Sequence, residues 1–317
     1  MMRAFVFPGQ GSQKPGMGAD LAAASAVARA VFEEVDDALG QKLSALMKDG
    51  PGEELMLTAN AQPAIMANAI AHLRVLEQEG GMALADKASF VAGHSLGEYT
   101  ALCAAGAFSL TDTARLLRLR GEAMQAAVPV GVGAMAALLG ADIEKATALA
   151  EAAAEGQVCT VANDNDPTQV VISGHREAIE RAIALVKEFS IKRGVLLPVS
   201  APFHCPLMQS AADAMAEALG LTPPGALRVP LFANVTAAIA SEPADVQRLL
   251  VEQVTGRVRW RESALAMQAA GVEQFVEFGG KVLGPMLSRT CQGIEGADVS
   301  VTSVTSMTDI EALAKTL

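Results

Sequence analysis

The sequence predicts an α/β fold in which a mainly parallel sheet is covered by helices on both faces. Short apolar runs stop at glycine or proline, as buried strands do. Helical patterns alternate with most of these runs, which is typical of parallel strands joined by helical crossovers. The 317 residues are 51% hydrophobic, enough for a large core in one domain or in two smaller ones.

The first part of the chain reads as alternating strands and helices. Residues 4–7 are apolar and stop at Pro8, where a glycine-rich loop begins, so we expect a buried strand there. Ser109 and Thr111 are candidate N-caps of a helix that runs through Ala127. The elements expected between these two are helices at about 20–39 and 61–79, a strand at 89–92 and an alanine-rich helix that ends near 106.

The order of the predicted strands and helices changes after residue 128. The elements expected next are strands at 132–139, 158–162, 169–173 and 194–199, with helices at 142–155 and 176–189. The order β-α-β-β-α-β is the ferredoxin-like pattern. We therefore expect residues 129–199 to form a small ferredoxin-like subdomain, inserted into a core made of residues 1–128 and 200–317.

The larger pattern resumes in the last third of the chain. The elements expected there are helices at 206–220, 243–255, 260–270 and from about 281, strands at 229–235, 274–278 and near 299–304, and a short final helix. Strands and helices alternate again, so these segments are expected to complete the parallel sheet of the core.

The composition narrows the class of protein. The net charge of −11 argues against general binding to nucleic acid or to anionic membranes. We expect neither a signal peptide nor a membrane span, since no segment approaches the roughly 18 uncharged apolar residues that a span needs. The four cysteines are far apart and form no CxxC pair, which favours reduced thiols and a cytoplasmic location.

The segment Gly-His-Ser-Leu-Gly at residues 93–97 fits the GxSxG pattern of a nucleophile elbow. Small residues flank the serine because a strand turns sharply into a helix there, which exposes the hydroxyl and aims the next backbone N–H at a developing oxyanion. A strand pattern precedes the motif and a helical pattern follows it, so Ser95 is the candidate nucleophile. The alternative is a turn whose serine only caps a helix. We interpret His94 as supporting structure.

His204 is the candidate general base among four histidines. It follows a predicted strand and precedes a helix, and loops at the carboxyl ends of strands are where α/β proteins keep their chemistry. His72 lies in a helix interpreted as packing, and His175 lies in a turn. The alternative for His204 is a residue that caps the next helix. Cys205 has no second base beside it and is interpreted as a buried thiol.

Arg120 falls on the apolar face of the helix predicted up to Ala127. At about 100° per residue it lies opposite Arg115, Arg118 and Glu122, and no acid of this helix shares its face. A guanidinium in an apolar stripe is unfavourable unless an anion meets it. The anion is either a distant carboxylate in a structural salt bridge or a carboxylate of the substrate, held in a bidentate clamp. An ordinary esterase has no need of such a clamp, whereas a dicarboxylic acyl group does.

Four separated motifs carry a resemblance to a known family. They are Gly-Gln-Gly-Ser-Gln at 9–13, Gly-His-Ser-Leu-Gly-Glu-Tyr at 93–99, Arg-Gly at 120–121 and Phe-His at 203–204. With these motifs in this order, the chain resembles malonyl-CoA:acyl carrier protein transacylases of fatty acid synthesis and the related acyltransferase domains of polyketide synthases. The resemblance covers residues 3 to about 308. It implies an α/β-hydrolase-like core with an inserted ferredoxin-like subdomain.

The resemblance also implies roles for the motif residues. Ser95 matches the serine that is acylated, His204 matches its base, and Arg120 matches the arginine that pairs with the malonyl carboxylate. Gln10 and Leu96 match the two positions whose backbone N–H groups form the oxyanion hole.

Three further positions follow from the resemblance. Gln253 matches the residue whose main-chain carbonyl orients the histidine, so the third member of the triad is expected to be a carbonyl and not an acid. Asn163 resembles the asparagine that lines the pocket. Phe203 resembles the residue of malonyl-selective members, whereas methylmalonyl-selective ones tend to have serine. A bulky ring there leaves little room for an α-methyl group, which gives a preference of about 1–3 kcal/mol and not an absolute exclusion.

The expected partners are malonyl-CoA and an acyl carrier protein, with no cofactor and no metal. Carrier proteins of this kind are acidic and so is this chain, so docking needs a local positive surface. The candidates, each of which is otherwise a solvated charge, are Lys187, Lys192, Arg193, Lys281 and Arg289. The competing hypotheses are an esterase or thioesterase, a discrete acyltransferase of a polyketide synthase, and a non-catalytic scaffold that binds carrier protein.

Overall fold

The computed structural model describes residues 1–199, 201–292 and 299–317. Ser200, at which the second core segment is expected to begin, lies outside these ranges. The described strands are β1 Met2–Phe7, β2 Phe90–Gly93, β3 Gly133–Leu139, β4 Cys159–Asp166, β5 Gln169–His175, β6 Arg193–Leu196, β7 Leu231–Ala233, β8 Ala238–Ala240, β9 Val272–Phe278 and β10 Ser300–Val304.

Helices connect most of these strands, as expected for parallel pairing. In chain order the described α-helices are α1 Ala19–Ala24, α2 Ala26–Leu39, α3 Leu43–Asp49, α4 Gly52–Met56, α5 Thr58–Gln78, α6 Leu84–Lys87, α7 Leu96–Ala104, α8 Leu110–Ala126, α9 Ile143–Ala154, α10 Arg176–Leu185, α11 Gln209–Leu221, α12 Pro243–Thr255, α13 Trp260–Ala269, α14 Leu283–Cys291 and α15 Met307–Ala314. None of them combines the length and the apolar character that crossing a bilayer requires.

The larger sheet has the order β10-β9-β1-β2-β7-β8. Its strands pair in parallel except at β7–β8, which is an antiparallel hairpin at one edge. The last four residues of β1 are fully buried and apolar, as expected for a central strand covered by helices on both faces. The mixed α/β fold with a mainly parallel sheet is therefore confirmed.

The smaller sheet is antiparallel and has the order β4-β5-β3-β6. Helices α9 and α10 cover one face of it, and their apolar residues form a separate buried cluster with those of the sheet. Each helix has a clear apolar stripe, because alanine, leucine and isoleucine recur at intervals of three and four residues. This sheet and its helices, here called the small unit, lie between α8 and α11 in the chain.

Two predicted elements differ from the structure. The expected helix over 20–39 is two helices, because Ser25 adopts an extended conformation and its side chain accepts a hydrogen bond from the N–H of Ala28, which starts a new helix. The expected strand over 229–235 is only β7, after which the chain turns back into β8. Strands β7 and β8 are each three residues long, too short to give a clear alternation in the sequence.

Candidate active site

Ser95 lies at the turn between β2 and α7, where the carboxyl end of a parallel strand meets the start of a helix. Its backbone has φ 55° and ψ −112°, a conformation that L-residues rarely adopt. A Cβ on Gly93 would lie 1.9 Å from the carbonyl carbon of Gly97, and a Cβ on Gly97 would lie 2.2 Å from the carbonyl oxygen of Phe7. Glycine at both positions is therefore what permits the sharp turn that exposes the Ser95 hydroxyl.

His204 faces the serine from the loop before α11. Its Nε2 lies 2.8 Å from the Oγ of Ser95, and its Nδ1 lies 2.8 Å from the main-chain oxygen of Gln253. A carbonyl oxygen can only accept, so Nδ1 carries the proton and Nε2 is left to accept the proton of the serine hydroxyl. The partner of Nδ1 is thus a backbone carbonyl and not a carboxylate.

The environment of His204 keeps the imidazole neutral. The ring is buried, and burial together with the positive charge of Arg120 lowers the pKa of His204 to about 3. A histidine with such a pKa is unprotonated at neutral pH and available as a base.

Arg120 projects from α8 into the same place, where it is 1% exposed. Its Nη1 donates to the Oε1 of Gln62 at 2.8 Å, and its Nη2 donates to the Oε1 of Gln253 at 2.9 Å and to the Oγ of Ser95 at 3.1 Å. Its Nε has no partner among the described residues, and its Cζ lies 5.7 Å from the centre of the Tyr99 ring. No carboxylate in the described ranges lies within ion-pair distance of this guanidinium, so a direct salt bridge does not explain its burial. The buried Glu98 interacts with it electrostatically but contacts it only through Gln253.

A polar cluster beneath the elbow fixes these groups. The side-chain amide of Asn234 accepts from the N–H of Ser95 at 2.8 Å and donates to the carbonyl of Gly93 at 2.7 Å. The Nε2 of Gln253 donates to the carbonyl of Ser95 and to the Oε2 of Glu98, and the same Oε2 accepts the N–H of Asn234. Glu98 is 1% exposed, and burial raises its pKa to about 7.

These side chains open onto a cavity of about 270 Å³. The cavity is lined from the core by Gln10, Ser95, Leu96 and Arg120, and from the small unit chiefly by residues of β3, β4 and the segment after β6. The structure therefore brings the predicted site residues to one cavity. Gln253 contacts His204 beneath it. The predicted residues that line the cavity are Gln10, Ser95, Leu96, Arg120, Asn163, Phe203 and His204.

The arrangement places a serine hydroxyl in contact with a neutral histidine and a buried cation. Comparison with known proteins gives a family for it: a family profile described as "Acyl transferase domain" matches residues 4–298. The chain belongs to this acyl transferase family.

Individual relatives cover nearly the whole acyl transferase chain. The malonyl CoA-acyl carrier protein transacylase of Escherichia coli (strain K12) is 46% identical over 287 residues, which are 90% of this chain and 92% of that protein. The crystal structure of acyl-carrier-protein-S-malonyltransferase from Bartonella henselae is 52% identical, with a TM-score of 0.96 over 100% of this chain and 99% of that one. A structure described as a type II PKS acyl-carrier protein in complex with its malonyl-transacylase matches at 39% identity and a TM-score of 0.94, over 100% of both chains.

The other candidates of the acyl transferase sequence lie elsewhere. His72 is buried in α5 with its Nδ1 2.8 Å from the carbonyl of Asn68, and His175 ends β5, where its Nδ1 accepts from the N–H of Val158. Cys205 is fully buried and donates to the carbonyl of Pro202, so it is a packed thiol. His94 contacts Asn165 through its Nε2 at 2.9 Å.

The candidate docking residues differ in their surroundings. Lys187, Lys192 and Arg193 are exposed on the small unit, and Lys281 is exposed before α14. Arg289 instead donates to the buried carboxylate of Asp166 at 2.7 Å, so its charge is already paired.

Sequence reasoning missed four residues that hold the site together: Gln62, Glu98, Asn165 and Asn234. For Asn234 a usable signal exists, since it directly follows β7 at the carboxyl end of a parallel strand. Glu98 belongs to the quoted motif, but its role depends on partners more than 130 residues away in the chain. Gln62 precedes a proline within α5 and reads as part of a packed helix.

Proposed function

We propose that this acyl transferase moves a malonyl group from malonyl-CoA to the phosphopantetheine thiol of an acyl carrier protein in fatty acid biosynthesis, by way of an ester on Ser95. The observation that carries the choice of malonyl is Arg120, a buried cation 3.1 Å from the Ser95 hydroxyl with no carboxylate partner in the described ranges. The relatives reported above, named for malonyl transfer to acyl carrier protein, support the same reaction.

In the first half-reaction His204 takes the proton of the Ser95 hydroxyl, and the oxygen attacks the thioester carbon of malonyl-CoA. The backbone N–H groups of Gln10 and Leu96 stabilise the oxyanion. The carbon–sulfur bond then breaks, and His204 returns its proton to the leaving thiolate of coenzyme A. Arg120 holds the free malonyl carboxylate, which fixes the reacting carbon in register with the serine.

In the second half-reaction the carrier thiol gives its proton to His204 and attacks malonyl-Ser95. The ester bond breaks, the serine oxygen regains its proton, and the malonyl thioester of the carrier leaves. Product and substrate are both thioesters, so the exchange needs no external energy source. Because the acyl-enzyme must wait for the carrier, exclusion of water matters more here than in a hydrolase.

Phe203 and Asn163 are proposed to shape the acyl cavity. Both line it, and Phe203 directly precedes the base. The ring occupies space that an α-methyl group would need, so malonyl is preferred over methylmalonyl by an amount typical of one methyl group, about 1–3 kcal/mol.

We also infer that residues 129–199 form a ferredoxin-like subdomain inserted into an α/β-hydrolase-like core of residues 1–128 and 200–317. The strand order β4-β5-β3-β6, with α9 and α10 on one face, supports the former. The Ser95 elbow at the end of a parallel strand supports the latter. A cytoplasmic location is proposed on the cysteines: Cys103, Cys159, Cys205 and Cys291 are all free and buried.

The carrier is proposed to dock on the exposed positive charges of the small unit, Lys187, Lys192 and Arg193. Strand β6 starts at Arg193 and leads to residues 197–199, which line the cavity. At about 3.3 Å per residue, Arg193 lies some 13–20 Å along the chain from these lining residues. The comparisons favour neither a polyketide-synthase acyltransferase nor a hydrolase over the malonyl transferase.

Intact-protein mass spectrometry after brief exposure to malonyl-CoA tests the proposal. One malonyl adduct is expected on the parent protein, none on the Ser95→Ala variant, and little from acetyl-CoA at equal concentration. An unmodified parent, or a parent that prefers acetyl, would refute malonyl transfer and reopen the hydrolase and scaffold hypotheses.

A further inference from the structure

Strand β4 carries four consecutive polar residues that are all buried. Asn163, Asp164, Asn165 and Asp166 are exposed by 6%, 0%, 5% and 0%. Buried carboxylates are unfavourable unless they are paired and hydrogen-bonded. These four side chains therefore need hydrogen-bonding partners. The structure supplies one set of partners for the aspartates and another for the asparagines.

The two aspartates bind arginines from the core. Arg261 on α13 donates to both oxygens of Asp164, through Nε at 3.0 and 3.1 Å and through Nη2 at 2.9 Å. Arg289 on α14 donates to one oxygen of Asp166 from Nε at 3.0 Å and Nη2 at 2.7 Å. The backbone of β4 adds a parallel bridge, because the N–H of Asp164 donates to the carbonyl of Val258. Side-chain and main-chain contacts thus join β4 to the core.

The two asparagines face the active site. Asn163 lines the acyl cavity, and the Oδ1 of Asn165 lies 2.9 Å from the Nε2 of His94, the residue before the nucleophile. The His94 ring also contacts Trp260, which is adjacent to Arg261 on α13, at 5.8 Å between centroids. A displacement of β4 away from α13 would consequently move the cavity wall at Asn163 and also disturb the contacts of His94 at the elbow.

The acyl cavity lies between the core and the small unit, so its width depends on how closely the two are held. Met135 and Asn163 line it from the small unit, and Ser95 and Arg120 line it from the core. We propose that Asp164, Arg261, Asp166 and Arg289 are positioning residues for the transfer reaction, which hold β4 so that the malonyl group is aligned with the nucleophile and water is kept from malonyl-Ser95. This inference rests on the proposed function, since it concerns the same acyl-enzyme.

The test compares two rate constants of the acylated enzyme, because their ratio does not depend on the fraction of protein that folds. Malonyl-Ser95 is formed with excess malonyl-CoA and isolated by rapid desalting. Its transfer to acyl carrier protein and its hydrolysis without carrier are then each followed by mass spectrometry. The variants are Asp164→Asn with Arg261→Gln and Asp166→Asn with Arg289→Gln, each of which removes both charges of one pair.

Both variants are expected to transfer malonyl about tenfold more slowly and to hydrolyse malonyl-Ser95 several-fold faster than the parent. Arg261→Lys keeps the charge but loses the bidentate geometry, so its ratio of transfer to hydrolysis is expected to lie between that of the parent and that of the neutral variant. Arg248→Gln is the matched control, because Arg248 forms an exposed ion pair on α12 away from β4. Variants with a lower melting temperature but an unchanged ratio would overturn the positioning role, whereas a parent that is never malonylated would instead refute the proposed function.

Discussion

The Nη2 of Arg120 donates to the Oγ of Ser95 at 3.1 Å while the Nε2 of His204 lies 2.8 Å from the same oxygen. One oxygen is thus contacted both by the proposed binding group for the malonyl carboxylate and by the proposed base. Gln253 joins the two, because its side chain accepts from Arg120 and its main chain accepts from His204. In the proposed reaction, selection of the acyl group and activation of the nucleophile therefore depend on one hydrogen-bonded cluster.

Loss of the Arg120 cation should impair malonyl transfer selectively. Arg120→Ala is expected to lower kcat/KM for malonyl-CoA by about 10²–10³-fold, the effect of removing a buried, charge-assisted partner of the carboxylate. The same variant should lose much less activity with acetyl-CoA, which steady-state assays of both donors would measure. Arg118→Ala is the control, since Arg118 lies on the other side of α8 and binds Asn60. An equal loss with both donors would contradict the clamp.

The pH dependence of acylation should lack the inflection of an ordinary histidine. With the pKa of His204 lowered to about 3, the base stays neutral from pH 7.5 down to pH 5. We expect kcat/KM for malonyl-CoA, which reports the free enzyme, to show no fall near pH 6.5 that is due to this residue. Glu98, with a pKa of about 7, is a buried group of the same cluster that titrates there. A fall near pH 6.5 that persists in the Glu98→Gln variant would therefore contradict the assignment.

Glu98 should make the protein less stable as the pH rises. Its folded pKa of about 7 lies above the unfolded value of 4.5, so its contribution is greatest below pH 4.5 and is lost as the pH rises through 7. The free energy of unfolding of the parent minus that of Glu98→Gln should fall by up to about 3 kcal/mol across this window. Urea denaturation from pH 5 to 8 measures it. His204 contributes to stability with the opposite pH dependence, but it is present in both proteins and cancels in the difference. A difference in unfolding free energy that stays flat or rises with pH would disprove the effect of burial on Glu98.

Removal of the Phe203 ring should admit an α-methyl group. Phe203→Ser is expected to raise the ratio of kcat/KM for methylmalonyl-CoA to that for malonyl-CoA by about 10–100-fold, the range for one methyl group in a pocket. Phe203→Leu, which keeps an apolar side chain of intermediate size, should lie between the parent and the serine variant. If the serine variant loses both activities in parallel, the ring supports the fold of the loop and does not discriminate between donors.

Charge reversal on the small unit should affect one half-reaction only. In Lys192→Glu with Arg193→Glu, we expect malonylation of Ser95 by malonyl-CoA to stay at the parental rate. Transfer to the acidic carrier should fall, and the fall should shrink at high salt, because exposed charges are screened there. Stopped-flow or quenched-flow assays of each half-reaction separate the two. A loss of both in proportion would exclude these residues as a docking surface.

Local patterns carried the prediction of the elbow and of the buried arginine. The GxSxG motif can be read from the sequence because its glycines are required by the turn itself. The structure gives the reason, since a Cβ on Gly97 would meet the backbone of Phe7. Arg120 was located by helical periodicity alone, since α8 is long and its buried face includes Leu116, Leu117 and Met124.

The supporting residues could not be predicted in this way. Gln62 and Asn165 are buried amides that bind Arg120 and His94, which are distant in sequence, and a single buried amide leaves no periodic signal. The partner of Asp164 is nearly 100 residues away, so neither Asp164 nor Arg261 can be told from a solvated charge before the fold is known. Residue type identified the chemistry, whereas long-range packing decided which polar side chains serve it.

The central position of β1 has a consequence for the order in which the chain folds. Its two neighbours are β2, Phe90–Gly93, and β9, Val272–Phe278, so one edge of β1 stays unpaired until almost the whole chain has left the ribosome. Pairings this distant are slow to form and leave an apolar strand edge open to other chains in the meantime. Productive folding of the catalytic sheet is therefore expected to be largely post-translational, and a truncation before Val272 should yield a chain that aggregates.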